Sequence, residues 1–130
     1  MNDTIFGKII SGEIPATKVY EDEKCLAFLD INPVNKGHTL LIPKEHYVWF
    51  QDTPDELVSY LFITAKKLVN ALKEATECDY VEIVIQGKDV PHFHIHLIPA
   101  YLNQSTGTWN HISYGENEMT DVAEKIKAHL

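Results

Sequence analysis

The stretch from Val90 to Pro99, VPHFHIHLIP, holds three of the chain's seven histidines. His92, His94 and His96 alternate with Phe93, Ile95 and Leu97. A β-strand turns successive side chains to opposite faces, so this spacing places the three imidazoles on one face, ~6–7 Å apart. Phe93, Ile95 and Leu97 then face a core. A helix would scatter the imidazoles around its axis. Three histidines at period two on an apolar strand are a poor way to build a merely solvated face. Two chemistries fit better. One is a tridentate metal site, since neutral imidazole is a common ligand. The other is a phosphoryl-transfer site, with one histidine as nucleophile and the others as phosphate donors.

The elements around this stretch can be read from pattern. Phe6, Ile9 and Ile10 predict a short amphipathic N-terminal helix, stopped by Ser11-Gly12 and closed by Pro15. A strand beginning at Val19 and Tyr20, a turn at Asp22-Glu23-Lys24, and a strand Cys25 to Leu29 read as a hairpin. The turn-rich loop DINPVNKG, residues 30–37, leads into a strand from His38 to Pro43. Thr53-Pro54-Asp55-Glu56 has the form of a capping box, with Thr53 as the cap. Leu57, Leu61, Thr64, Ala65, Leu68, Leu72 and Ala75 follow at helical spacing as a core stripe. Tyr80 to Ile85 is a strand, Gln86 to Asp89 a short turn, and the histidine strand comes next. Asn103 to Gly115 is irregular and polar. A final helix from about Glu116 carries Met119, Val122, Ala123, Ile126 and Leu130. The order gives an α+β domain with a mostly antiparallel five-stranded sheet, one long helix and a C-terminal helix.

The whole chain narrows the function classes. At 130 residues it makes one domain, residues 1–130, with 101–130 as a helix-bearing extension. A formal net charge of −8 argues against nucleic acid or an anionic membrane surface as the main partner, though not against a small phosphorylated ligand. No apolar run reaches the ~18 residues of a membrane span. The N-terminus lacks the pattern of a signal peptide, so a cytoplasmic location is expected. Cys25 and Cys78 read as buried free thiols, and the absence of a CxxC rules out a cysteine-based zinc knot.

Taken together, these stretches resemble the histidine-triad (HIT) superfamily and, within it, the Hint-like nucleotide hydrolases. The signature His-φ-His-φ-His-φ-φ is met at every position from His92 to Ile98. TIFGKIISGEIPATKVYEDE, CLAFLDINP and GHTLLIPKEHY match further segments in the same order. The resemblance implies a hydrolase or nucleotidyl transferase. It would attack the α-phosphorus of a nucleoside phosphoramidate, ester or anhydride through a covalent nucleotidyl-histidine. His94 matches the nucleophile and His92 the residue that orients it. His96 matches a phosphate contact and proton donor, and His38 the upstream fourth histidine. Phe6, Phe28, Asp30 and Ile31 fall where the family builds its nucleoside pocket, with Asp30 toward the ribose hydroxyls. On their own pattern, Phe6 and Phe28 read as core, and Asp30 serves equally as a turn cap.

The match is imperfect before the triad. A longer glycine-rich phosphate loop is replaced by Gln86-Gly87-Lys88-Asp89. Ile85 stands at the expected asparagine and Asp89 at the serine or threonine that would meet phosphate. A carboxylate there repels phosphate unless a proton or cation intervenes, and Lys88 is one candidate to offset it. This leaves a non-catalytic nucleotide-binding module as the alternative, with a tri-histidine metal enzyme behind it. Gly7 stands where zinc-bearing members have cysteine, so no metal or other cofactor is expected. The implied partners are a purine nucleotide and, by analogy, a second copy of the chain, joined through the long helix and the segment before Val81. Trp109 would cap a partner's site or anchor the C-terminal helix. His46, His111 and His129 show no pattern and read as surface residues.

Overall fold

Two mostly apolar runs, CLAFL and TLLIP, become strands buried at every position. Continuous burial of this kind requires cover on both faces of the sheet, and the rest of the chain provides it. The computed structural model describes residues 3–104 and 109–130. Strands β1 (Lys18–Glu21), β2 (Cys25–Leu29), β3 (Thr39–Pro43), β4 (Tyr80–Ile85) and β5 (Ile95–Ala100) form one sheet in the order β1-β2-β3-β5-β4. Every pairing is antiparallel, as expected. The histidine-bearing β5 is therefore an interior strand, with His96 opposite Leu40 on one side and Val84 on the other.

One face of the sheet is covered by helix α2 (Asp55–Thr76) and helix α3 (Glu118–Lys127). Ala27, Leu29, Leu41, Phe93, Ile95 and Leu97 pack there against Leu61, Ala65, Leu68, Leu72, Ala123 and Ile126. The other face carries Leu26, Phe28, Leu40 and Ile42, covered by Phe6 and Ile9 of helix α1 (Ile5–Ser11). α1 starts where the Thr4 hydroxyl accepts the Gly7 N–H, and ends at Gly12, whose φ of 85° suits glycine. Asp22 ties the first hairpin to α2. It accepts the N–H groups of Lys24 and Cys25 within its turn and the hydroxyls of Tyr20 and Tyr60.

Four expectations need correction. The capping box does not form. α2 begins at Asp55 after Pro54, and the Thr53 hydroxyl donates to the Trp49 carbonyl in the turn before it. The histidine strand begins at Ile95 rather than directly after the Gln86–Asp89 turn. Upstream, the Phe93 N–H donates to the Tyr47 carbonyl and the His92 N–H to the Val90 carbonyl, so this backbone is held by the loop after β3 and by its own turn. His38 immediately precedes β3 instead of opening it. Leu130 lies beyond the end of α3 and is half exposed, outside the stripe that Ala123 and Ile126 bury. Residues 105–108 of the predicted irregular segment lie outside the described residues.

Leu41 is completely buried in the middle strand of the core. Leu41→Ala is expected to lower the unfolding free energy by roughly 3 kcal/mol, the usual cost of a buried leucine. Leu102→Ala, at an exposed position, changes it by less than about 0.5 kcal/mol. Urea unfolding followed by circular dichroism measures both, and equal losses would contradict this core.

Candidate active site

Alternation survives through the histidine stretch. Phe93, Ile95 and Leu97 join the helix-covered core, and the imidazoles turn to the α1 side. There a cavity of about 580 Å³ opens between α1, the start of the β2–β3 loop, residues 89–90, β5 and the C-terminal segment. Its apolar end is lined by Phe6, Ile9 and Phe28, with Phe6 and Phe28 meeting edge to face at 5.6 Å. Its polar end is lined by Asp30, Asp89, His94, His96 and His111. Phe6 and Phe28 thus satisfy both of their readings: they are buried, and they wall the cavity. Ile31 sits at the rim, 71% exposed.

His38, His92, His94 and His96 are all at most 8% exposed. A buried imidazole must place its proton where a partner accepts it, and here the partners decide each case. The His92 carbonyl lies 2.7 Å from His94 Nδ1. A carbonyl only accepts, so Nδ1 carries the proton and His94 Nε2 keeps a lone pair. The Val34 N–H donates to His38 Nδ1 at 3.0 Å. His38 therefore holds its proton on Nε2 and gives it to His96 Nδ1 at 2.9 Å. His96 is left with its proton on Nε2, as a donor. His92 Nε2 donates to the Pro43 carbonyl at 2.8 Å, which fixes His92 as a brace behind its neighbour. The rings of His94 and His96 are 5.0 Å apart, and His94 also lies 5.0 Å from the Phe6 ring.

Burial holds these imidazoles neutral. It pushes His38 down to about 3 and, with the charge of His94 second, His96 down to about 4. His92 and His94 are also lowered, chiefly by burial; for His94 the His92 carbonyl and the carboxylates of Asp89 and Asp30 oppose the shift. Asp30 is raised, again by burial first, although its Oδ1 accepts the Asn32 N–H at 2.9 Å. Asp30 is thus both turn cap and cavity wall.

The three triad rings do not converge on a metal. Among the described residues, donor atoms of Asp30, His38 and His96 lie within 4.8 Å of one another. His38 has no lone pair to offer there: its Nδ1 is occupied by the Val34 N–H, and its Nε2 bears the proton given to His96. These residues, as hydrogen-bonded, do not fit a cation.

Two site neighbours, His46 and His111, read from the sequence as surface residues, and a third, Trp109, as a cap on a partner's site or an anchor of the C-terminal helix. His46 is exposed, yet its ring stacks on His92 at 5.2 Å and its Nε2 donates to the Pro91 carbonyl. His111 is also exposed and lines the cavity. Trp109 rests on this chain's own His96, 4.9 Å between ring centres, and 6.0 Å from His38. All three are brought in by the fold from elsewhere in the chain, so no spacing announces them. In the short link before the triad, Asp89 faces the cavity, and Lys88 is exposed and is not among the lining residues. Gly87 is packed under Trp49, where a Cβ would come within 2.6 Å of the indole.

Comparison with known proteins follows from this geometry. The model of the family described as HIT domain matches residues 11–103. A HIT-like protein of Methanocaldococcus jannaschii is 45% identical, covering 95% of each chain. An adenylylsulfatase of Arabidopsis thaliana is 41% identical, covering 99% of this chain and 70% of that one. Among solved structures, a Hit-like protein from Bartonella henselae superposes with a TM-score of 0.90 at 32% identity, covering 100% of this chain and 98% of that one.

The buried neutral imidazoles carry a pH signature. Their folded values lie below the ordinary 6.5, at about 4 for His96 and about 3 for His38. The unfolded chain therefore binds more protons in this window, and stability is lost as pH falls from about 6.5 toward these values. Urea unfolding at pH 7 and pH 4.5 is expected to show a large loss in the wild type and a smaller one in His96→Asn. An identical loss in both would contradict the assignment.

Proposed function

The chain belongs to the HIT domain family, and from that membership together with the proton placement at His94 we propose that it is a nucleotide-binding hydrolase acting through a covalent nucleotidyl-histidine. The observation that carries this reading is the His94 Nδ1–H bound to the His92 carbonyl, which leaves a lone pair on Nε2 in a cavity with an apolar end. The purine base occupies the Phe6–Phe28 end, and Asp30 meets the ribose hydroxyls. His94 Nε2 attacks the α-phosphorus. The bond from phosphorus to the leaving group breaks as the bond to Nε2 forms. The positive charge that develops on the ring is shared with the His92 carbonyl through Nδ1–H. Water then attacks phosphorus, the bond to Nε2 breaks, and a nucleoside monophosphate leaves.

His96 presents an N–H on Nε2 and is neutral at pH 7. A neutral imidazole is a good hydrogen-bond donor to phosphate oxygen and a weak proton donor. An anhydride partner such as sulfate departs as a stable anion and needs no proton, whereas the amine of a phosphoramidate does. The Arabidopsis relative, an adenylylsulfatase, points the same way. The substrate class is therefore read as nucleoside phosphoramidates, esters and anhydrides, with adenylyl sulfate first. Asp89 beside the imidazoles supports a second reading, a nucleotide-binding module without turnover.

The second copy of the chain belongs to the same proposal. β4 is an edge strand. Ile83 and Ile85 share one of its faces and are exposed, as is Ile63 of α2. An edge with exposed apolar residues invites pairing, so the reading includes a two-fold dimer across β4. The two buried free cysteines suit a reducing compartment such as the cytoplasm.

Adenylyl sulfate and adenosine phosphoramidate are expected to be hydrolysed, the former faster. His94→Ala is expected to cut turnover by roughly 10⁴-fold or more, as loss of a nucleophile does, while adenosine monophosphate still binds. Turnover that survives His94→Ala overturns the mechanism, and wild-type binding without turnover supports the module reading. For the dimer, sedimentation should give twice the chain mass for wild type and a monomer for Ile83→Lys.

A further inference from the structure

The polar end of the cavity has an unusual charge inventory for a phosphate ligand. Two carboxylates, Asp30 and Asp89, line it, and no lysine or arginine is found among the described lining residues. His94 and His96 are buried and face it as neutral rings. The remaining cavity imidazole, His111, is exposed.

His111 is not on a loose tail. Its Nδ1 donates to the Asn32 carbonyl at 2.6 Å. The next residue, Ile112, donates its N–H to the Pro33 carbonyl at 2.8 Å, and the Tyr114 hydroxyl accepts the Gly37 N–H at 2.9 Å. The segment is thereby strapped to the same loop that carries Asp30. Trp109 stands between His111 and His96, 6.4 Å and 4.9 Å from their rings. With Nδ1 engaged, only Nε2 remains to His111, and a proton there makes it a cation.

We propose that His111 is a specificity-determining residue of this site: protonated, it adds a positive charge that favours an anionic nucleotide over an uncharged nucleoside in the presence of Asp30 and Asp89. The inference rests on the nucleotide-binding reading above. The groups facing His111 are the Asp30 carboxylate on the β2–β3 loop, the His38 and His96 imidazoles at the sheet, Trp109 on its own segment, and Asp89 across the cavity. The two sheet imidazoles are held low by burial, which leaves His111 as the exposed imidazole of this end. The preference is for charge and not for base or ribose, so a nucleoside lacking phosphate should be indifferent to it.

Calorimetric titration separates these possibilities. The ligands are adenosine and the methyl ester of adenosine 5′-phosphate, which keeps one negative charge across the range used. Wild type, His111→Gln and His111→Lys are compared at pH 5.5 and 8. Wild type is expected to bind the ester on the order of fivefold more tightly at pH 5.5, the scale of one charge pair across a partly solvated gap. His111→Gln should bind it weakly at both pH values, and His111→Lys tightly at both. Adenosine affinity should be the same in all three proteins. Ester binding that ignores His111→Gln overturns the inference alone, as does an equal loss of adenosine binding. A wild type that binds neither ligand overturns the nucleotide reading and this inference with it.

Discussion

The hydrogen bond from the Val34 N–H to His38 Nδ1 is a small contact on which the chemistry of the site depends. It settles the proton of His38, which settles the proton of His96. The same logic runs through His94, whose proton is pinned by the carbonyl two residues before it. The result is one imidazole with an available lone pair beside one with an available N–H, both facing the same cavity. Identical side chains acquire different roles because the backbone groups around them differ. Burial then lowers the proton affinity of all four buried rings, so that His38, His92, His94 and His96 offer fixed dipoles rather than charges.

The fold serves this arrangement by spending two faces of one strand differently. β5 is an interior strand, and Ile95 and Leu97 lock it into the main core. His96 rides on the opposite face of that locked strand. His92 and His94 lie just before the ladder, where the Phe93 N–H is held by the Tyr47 carbonyl and His92 by the Pro43 carbonyl. The loop after β3 thus does for the first two histidines what the sheet does for the third. His46, stacked on His92, belongs to that same support.

Local regularities were legible and long-range contacts were not. Alternation at Phe93, Ile95 and Leu97 gives the right core face, and Ser11-Gly12 gives the end of α1. The five-stranded antiparallel sheet follows from the strand list and its short links. The capping box at Thr53 failed because its hydroxyl found a closer acceptor in the preceding turn, a competition that sequence does not display. The strand expected directly after Asp89 starts only at Ile95, because alternation continues through extended backbone whether or not a ladder is present. His111 was invisible as a site residue because its segment is held by hydrogen bonds between His111, Ile112 and Tyr114 and residues 32, 33 and 37, 77 to 79 positions away in the chain. Trp109 reads as a cap on a partner's site or a helix anchor, whereas it rests on its own chain's His96.

The neutral histidines also set a conflict that the site must resolve. Desolvation lowers their affinity for protons, which favours a nucleophile at neutral pH and disfavours proton donation. On the proposed mechanism, such a cavity favours leaving groups that depart as anions over those that must be protonated. It also lacks a permanent cation to balance Asp30 and Asp89 among its described lining residues. On the proposed reading, a lysine among those rings would offset the ligand's charge, but it would lower the imidazoles further and pair with Asp30. An imidazole on a strap anchored to the Asp30 loop stands at this end in place of a lysine, and a charge on it bears on Asp30, His38 and His96 alike.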